Sequence, residues 1–186
     1  MEAKRYVVEM PSPVGLLTLT ASDSGLISLT FPNHKRTWAE DEQLTPRSNP
    51  VLDAAQEQLA AYFAGRLQRF DLPLAFQGTE FQVAVWRSLV AIPFGQTVCY
   101  AEIAARIGRT KAVRAVGSAN GQNRMSIIVP CHRVIGSNGT LTGYAGGLPV
   151  KRRLLDFESQ TSRPVESAAT TQQTLWDDAK PVLIGG

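Results

Sequence analysis

The chain has 186 residues, 44% of them hydrophobic, with a formal charge of +3 at pH 7, which favours a globular protein whose core needs no metal or disulfide. MEAKRYVVEM lacks the apolar core of a signal peptide, and no apolar run approaches the roughly 18 residues of a membrane span. We therefore expect a cytoplasmic protein, or a nuclear one in a eukaryote, with no membrane partner.

The N-terminal third predicts three antiparallel strands. Apolar and polar residues alternate in KRYVVEM, LLTLTA and LISLTF, which are separated by PSPVG and SDSG. Such period-two runs between turn residues are typical of strands joined by tight connections. Residues 33–48 are polar, show no sustained period, and are predicted to form a loop.

A helix is predicted next, with Asn49 as its N-cap, Pro50 at its first position and Gly65 just past its end. Short apolar pieces broken by proline and glycine follow this helix. We place a domain boundary near Gly78, so that the N-terminal domain covers residues 1–78.

The C-terminal domain, residues 79–160, is predicted to be mainly helical. Thr79 and Gln82 form a capping box ahead of apolar residues spaced four apart. SIIVP predicts a short buried strand or extended segment, and GLPVKRRLLDFES predicts the last helix. A tail rich in Ser, Thr and Gln, residues 161–186, completes the chain.

Between these elements, CYAEIAARIGRTKAVRAVGSANG predicts two short helices. The first ends near Ile107 with Gly108 as its stop, and the second runs from Lys111 to about Ala119 with Thr110 as its N-cap. Two helices joined by a short turn with glycine form a helix-turn-helix, although many helical hairpins bind nothing. The basic residues on and around the second helix favour nucleic-acid binding: Arg109, Lys111 and Arg114.

Positive charge is concentrated around these helices. Residues 100–153 hold nine Lys or Arg against one acid, Glu102. Such a balance is typical of a nucleic-acid face, and a solvated basic surface is the alternative.

The chemically distinctive stretch is IVPCHRVIGSNGTLTGYAGG, which sets Cys131 beside His132. A free thiol is about 3% thiolate at neutral pH, so a reactive cysteine needs a base, a cation or a helix N-terminus nearby. The alternative is a buried, inert thiol. Adjacent strand residues point to opposite faces, so contact between Cys131 and His132 requires a bend or a bridging water.

We expect no metal and no cofactor. The chain has only two cysteines, Cys99 and Cys131, and two histidines, His34 and His132, and none of them shows a ligand spacing such as C-x-x-C. A reducing cytosol would keep both cysteines as free thiols.

IVPCHRV, preceded by RAVGSANGQN and followed by GYAGGL, closely resembles the O6-alkylguanine-DNA alkyltransferase family, the methylated-DNA–protein-cysteine methyltransferases. The resemblance extends from about Thr79 to Glu158, with a weaker fit over the N-terminal strands. It implies an α/β protein with an N-terminal domain of ribonuclease-H-like topology and a helical C-terminal domain that contains the helix-turn-helix. It also implies a single-turnover DNA repair protein that transfers the alkyl group of O6-alkylguanine to its own cysteine, and it leaves O4-alkylthymine open as a second substrate.

The resemblance implies these catalytic roles. Cys131 is the alkyl acceptor, and His132 activates it through a water while Glu158 orients the histidine. Independently of the resemblance, attack by a cysteine requires a nucleophile, a base that takes its proton and a group that orients the base. Asn123 resembles the hinge asparagine of the family, whereas Arg124 stands where the family usually has proline and adds a cation near the DNA face.

For the substrate pocket, the resemblance implies that Tyr144 donates to guanine N3 and the amide of Ala145 to O6. The carbonyl groups of Cys131 and Val134 accept from the exocyclic amine of the base.

The resemblance further implies that the partner is double-stranded DNA containing O6-alkylguanine. Arg114 fills the gap left by the flipped base, and Tyr100 drives the rotation of its phosphate. The second helix enters the minor groove, where small residues permit close approach: Gly117, Ser118 and Ala119. We expect a monomer, and the sequence leaves cooperative binding on DNA open.

Two other classes of protein stay open at this level. A helix-turn-helix regulator or lesion-sensing binder would keep the basic face without needing the thiol. A cysteine hydrolase would use Cys131 and His132 with water and turn over many times.

Overall fold

The computed structural model describes residues 4–32 and 44–162. It has an N-terminal unit built on a sheet and a C-terminal unit built mainly of helices. The predicted α/β fold class is therefore confirmed.

The three predicted strands are present as β1 (Arg5–Met10), β2 (Leu17–Ser22) and β3 (Gly25–Thr30). They pair antiparallel with β2 in the middle. The sheet order is β3-β2-β1-β4, and β4 (Leu44–Thr45) pairs parallel with the start of β1. The loop predicted over residues 33–48 is therefore wrong at β4, because two residues that pair through their backbone need no sequence period. Residues 33–43 lie outside the described part of the chain.

Helix α1 (Pro50–Phe63) begins and ends as predicted. The Asn49 side chain accepts from the backbone N–H of Leu52 at 3.0 Å and donates to the carbonyl of Ser22 at 3.1 Å, so the cap also ties the helix to the sheet. Gly65 has a φ of 70°, the left-handed conformation that favours glycine after a helix.

The C-terminal unit starts with α2 (Glu80–Val90), for which the predicted capping box of Thr79 and Gln82 is confirmed. Next come β5 (Val98–Cys99), α3 (Tyr100–Arg106) and α4 (Val113–Gly121). Strand β5 pairs parallel with β6 (Val134–Ile135), and α5 spans Gly147–Thr161.

The predicted start of the second helix is wrong. Its cap is Ala112 rather than Thr110. The N–H of Ala112 donates to the carbonyl of Arg109 at 2.8 Å and closes a separate turn. Residues 109–112 form this turn and are therefore not part of the helix. Arg109 and Lys111 therefore lie on the connection between α3 and α4.

The strand predicted for SIIVP is also wrong. Ile127 has a φ of 70° and the segment turns, since the N–H of Val129 donates to the carbonyl of Met125 at 2.8 Å. The segment is buried, as predicted. It is tied to the sheet by β3, because Leu29 exchanges backbone hydrogen bonds with Arg124 and Ser126.

Helix α5 includes Thr161, the first residue of the predicted tail, and most of that tail lies outside the described residues. The two units share one apolar core, which runs from the inner face of β2 to α2 and α5. Among the described helices, none is long and apolar enough to cross a membrane.

Candidate active site

Cys131 begins a 3-10 turn, Cys131–Arg133, that follows the turned SIIVP segment. Its side chain is buried, and Sγ accepts a hydrogen bond from Nδ2 of Asn123 at 3.1 Å. Asn123 also donates to the carbonyl of Val129 at 2.8 Å and accepts from the N–H of Met125 at 3.0 Å. Asn123, just after α4, is therefore hydrogen-bonded both to Cys131 and to residues that precede it in the chain.

The tight turn brings His132 into the buried interior beside its predicted partner. His132 Nε2 lies 2.9 Å from Oε1 of Glu158, and both side chains are fully buried. Because the ionised carboxylate accepts, Nε2 carries the proton of the neutral ring and Nδ1 is left as an acceptor. Nδ1 is buried and makes no hydrogen bond to the described residues.

Glu158 is held by donors from three other elements. Arg133 donates to it through Nε at 2.8 Å and through Nη2 at 2.9 Å. Tyr62 Oη donates to Oε1 at 2.7 Å, and the N–H of Gly95 donates to Oε2 at 3.1 Å. With the contact to His132, Oε1 has three donors and Oε2 has two, so the orientation of the carboxylate is fixed.

Gly95 is required at this position. It has a φ of 73°, and a Cβ there would collide with the side chain of Ser162 and crowd the carbonyl of Glu158. The missing side chain lets the backbone N–H approach the end of α5 closely enough to reach the carboxylate.

Burial and ion pairing set the charges of Cys131, His132 and Glu158. Burial raises the pKa of the Cys131 thiol, against the Asn123 hydrogen bond and the positive charge of Lys151. Burial lowers the pKa of His132 although Glu158 opposes this. Burial would also raise the pKa of Glu158, but His132 and Arg133 together hold it well below its usual range. The resting site therefore pairs a neutral thiol with a neutral imidazole and an ionised carboxylate.

Lys151 supplies a buried positive charge near the thiol. Its Nζ donates to the carbonyl of Val134 at 2.6 Å and to that of Thr142 at 3.2 Å. Burial lowers the pKa of Lys151, while a negative Cys131 raises it. A cation in this place favours the thiolate whenever it forms.

Tyr144 lies between the histidine and the N-terminal sheet. Its ring centroid is 6.2 Å from that of His132 and 5.7 Å from that of Phe31 at the end of β3. Burial raises the pKa of Tyr144 well above its usual value, and a negative Cys131 would raise it further. Its Oη makes no hydrogen bond of normal geometry to any residue that the structure describes, although Ser126 lies close enough to lower that pKa. Ala145, next to Tyr144, is half-buried.

Tyr100 begins α3 directly after β5, and β5 pairs with the strand that follows the 3-10 turn. Its Oη shares a 2.5 Å hydrogen bond with Oγ1 of Thr142. A Cβ built on Gly117 would lie 3.8 Å from its ring, so Tyr100 packs beside α4. The sheet pairing therefore connects the cysteine segment to this aromatic residue.

The predicted basic face is partly wrong. Arg133 and Lys151 are buried within the site, so they do not belong to a surface. Ala119 is buried as well, and its carbonyl accepts from Nε1 of Trp86 at 2.8 Å, so its side chain does not face a groove. Arg124 is half-buried and Gly117 only partly exposed, whereas four of the predicted contact residues are exposed: Arg109, Lys111, Arg114 and Ser118.

Two family models cover nearly all of the described chain. Residues 80–160 match the 6-O-methylguanine DNA methyltransferase DNA-binding domain, and residues 6–76 match the ribonuclease-like domain of the same family. The chain belongs to the 6-O-methylguanine DNA methyltransferase family. The predicted resemblance is thereby confirmed.

Relatives of the 6-O-methylguanine DNA methyltransferase family match over most of their length. The methylated-DNA–protein-cysteine methyltransferase of Methanosarcina acetivorans is 47% identical, over 82% of this chain and 97% of its own. The constitutive methylated-DNA–protein-cysteine methyltransferase of Bacillus subtilis is 44% identical, over 82% and 94%. A crystal structure of Mycobacterium tuberculosis OGT in complex with DNA superimposes with a TM-score of 0.79 at 46% identity, covering 84% of this chain and 94% of that one.

Sequence reasoning missed four residues that this methyltransferase site contains: Tyr62, Gly95, Arg133 and Lys151. A signal for Lys151 was available, because Lys151, Leu154 and Glu158 are spaced as one helix face and all three are buried. Tyr62 gave no such signal, since it looks like a core aromatic of α1.

Within the described residues, no group of three or more His, Cys, Asp or Glu is arranged to hold a metal ion.

Proposed function

We propose that this protein repairs DNA by transferring the alkyl group of O6-alkylguanine irreversibly to Cys131. The observation that carries the proposal is a pair of buried contacts in a member of this family: Asn123 Nδ2 with Cys131 Sγ, and His132 Nε2 with Glu158 Oε1. The proposal assigns the nucleophile and the base to one turn and the orienting carboxylate to one helix, and such chemistry requires these three groups.

Activation begins with the neutral pair of thiol and imidazole. Nδ1 of His132 takes the thiol proton through a bridging water, and Glu158 stabilises the imidazolium through Nε2. Asn123 and Lys151 stabilise the thiolate, the first by donating to Sγ and the second by its charge. Because burial disfavours the thiolate in the resting protein, the proton leaves the thiol only as the sulfur attacks and its negative charge passes to the substrate.

Transfer forms one bond and breaks one. The Cys131 sulfur attacks the alkyl carbon in line, an S–C bond forms, and the C–O6 bond breaks with its electron pair on the guanine. Tyr144 donates to N3 and the Ala145 amide to O6, which stabilises the leaving base as its negative charge develops. The carbonyl groups of Cys131 and Val134 orient the exocyclic amine. The departing guanine anion takes up one proton, His132 gives up the proton that it took from the thiol, and neutral guanine and neutral imidazole are restored.

DNA is the partner, and we place it against α3, α4 and their connection, which together act as a helix-turn-helix in the minor groove. Exposed Arg109, Lys111 and Arg114 contact the duplex, and Ser118 allows a close approach by α4. Tyr100 rotates the target phosphate, and Arg114 fills the gap in the stack. Extrusion of a base costs a few kcal/mol, and a damaged, weakly paired base lowers that cost.

Asn123 acts as the hinge between this DNA-binding part and the chemistry. Arg124, in the position where a proline would remove a donor, keeps its backbone N–H and adds a cation beside the hinge. We place the protein as a monomer where the DNA is, in the cytoplasm or in a eukaryotic nucleus.

Intact mass after incubation with excess duplex containing O6-methylguanine tests this function. We expect one methyl group, a gain of about 14 Da, on the peptide that contains Cys131, because a thioether sulfur is a poor leaving group toward water. The amount of repaired duplex should rise until it equals the amount of protein and then stop increasing. A binder would show no mass change, and a hydrolase would process the excess and return to its starting mass, so either result would contradict the proposal.

The flipping roles predict a difference between two substrates. Arg114→Ala and Tyr100→Ala should slow transfer from duplex DNA about tenfold or more, yet slow transfer from free O6-methylguanine base less than about threefold, since the free base needs no extrusion. Arg66→Ala removes an exposed cation of the N-terminal unit, outside the basic stretch, and is the matched control, expected to change neither rate. Rapid-quench rates on both substrates decide, and equal losses on the two would exclude a flipping role.

A further inference from the structure

A side chain of the N-terminal unit takes part in the hydrogen bonds around Glu158. Tyr62, near the end of α1, is fully buried, and its Oη donates to Oε1 of Glu158 at 2.7 Å. Oε1 is also the atom that lies 2.9 Å from Nε2 of His132. A residue 96 positions away in sequence from Glu158 thus shares an acceptor with the histidine.

The ring of Tyr62 has no room to turn away from this oxygen. Four phenylalanine rings pack around it at centroid distances of 5.2 to 5.9 Å, three of them edge-on: Phe63, Phe70, Phe94 and Phe157. Burial and the nearby Glu158 carboxylate raise the pKa of Tyr62 well above its usual value, so the phenol keeps its proton and remains a donor. The contact is therefore a fixed, one-directional hydrogen bond.

We propose that Tyr62 is a positioning residue for the transfer reaction, one that sets how strongly Glu158 acts on His132. The proposal rests on the proposed function, and it makes the N-terminal unit part of the proton relay. Tyr62 draws electron density from Oε1 and so weakens that oxygen as an acceptor for His132. It also prevents Glu158 from rotating toward Arg133 alone.

Other charged and titratable groups around the histidine define what Tyr62 adds. Arg133 donates to both oxygens of Glu158, Lys151 lies on α5, and Tyr144 and Cys131 complete the surroundings. Arg133 and Lys151 lower the pKa of His132, and Glu158 raises it. Without the phenol, Oε1 should attract the Nε2 proton more strongly, which stabilises the imidazolium and raises the pKa of His132.

The test is the pH dependence of the single-turnover rate with methylated duplex. The acid limb of the profile reports protonation of the base. Tyr62→Phe keeps the aromatic packing and should move this limb to higher pH by about half a unit, as one of three donors to Oε1 is lost. Tyr6→Phe makes the same chemical change in β1, away from the site, and should leave the profile unchanged.

A second variant keeps the packing and the hydrogen bond. Site-specific 3-fluorotyrosine at position 62 has a more acidic phenol, hence a stronger donor, and should move the acid limb to lower pH. This opposite shift decides the matter if Tyr62→Phe fails to fold.

The outcomes separate a positioning role from a structural one. Opposite shifts of the acid limb in the two variants support the proposal. If Tyr62→Phe only lowers the melting temperature and its profile superimposes on that of the wild type, or if fluorination leaves the limb in place, the proposal is overturned. A wild-type protein that transfers no methyl group to Cys131 would overturn the proposed function, and this inference with it.

Discussion

Cys131→Ala is expected to abolish methyl transfer completely while leaving binding to methylated duplex within about threefold of wild type, because the proposed base and phosphate contacts come from other residues. Asn123 keeps its bond to the carbonyl of Val129 when Sγ is gone, so the hinge should stay in place. Loss of a small buried side chain should lower the free energy of unfolding by only about 1 kcal/mol. Transfer is measured with labelled methylated duplex, and binding by gel shift.

The other cysteine provides the matched control. Cys99 is half-buried at the N-cap of α3, where serine is a preferred residue, so Cys99→Ser should keep the helix start and most of the activity. Loss of transfer in Cys99→Ser together with its survival in Cys131→Ala would reverse the assignment of the nucleophile.

Local rules predicted the elements whose ends depend on neighbouring residues. Asn49 with Pro50 marked the start of α1, and Thr79 with Gln82 marked that of α2, because in both cases the cap is a contact within one turn. The start of α4 depends instead on a turn closed by Arg109 and Ala112, which competes with Thr110 for the same backbone. The sequence alone does not say which of the two arrangements is the more stable.

In the candidate site, too, some residues could be predicted from the local sequence and others could not. The motif around Cys131 led to side chains that the structure brings together in one buried region: Cys131, His132, Glu158, Asn123 and Tyr144. The counting of charges, by contrast, misplaced two residues. Arg133 and Lys151 contribute to a sum of charges like any surface cation, although one is paired with Glu158 and the other is bound to two backbone carbonyls. The burial of Arg133 and Lys151 results from the packing of α5 against the 3-10 turn. This is a tertiary contact, and a count of charges along the sequence does not reveal it.

Ionised Glu158 should also make the protein acid-sensitive. Because its pKa in the folded protein lies below the value of about 4.3 for an unfolded chain, its contribution to stability is present above that range and is lost as the pH falls through the folded pKa. Glu158→Gln removes this contribution. The difference in unfolding free energy between wild type and variant should therefore be largest above about pH 5 and shrink toward pH 3.

At neutral pH, Glu158→Gln is expected to lower the free energy of unfolding by about 3–5 kcal/mol, because the buried guanidinium of Arg133 loses its counter-charge. Transfer should fall about a hundredfold or more, since the neutral amide of the variant no longer stabilises a charged His132. Urea unfolding and single-turnover rates measure the two effects. Asp156→Asn removes an exposed carboxylate from the same helix and should change neither.

The double variant Glu158→Gln with Arg133→Met separates stability from chemistry. Removing the uncompensated guanidinium should recover about 2 kcal/mol or more of the lost stability, because an apolar side chain replaces a buried charge. The methyl group should still not be transferred at the wild-type rate, since the histidine has no anion beside Nε2. If the double variant recovered both stability and transfer, Glu158 would serve only as the counter-ion of Arg133, and the triad assigned to Cys131, His132 and Glu158 would be wrong.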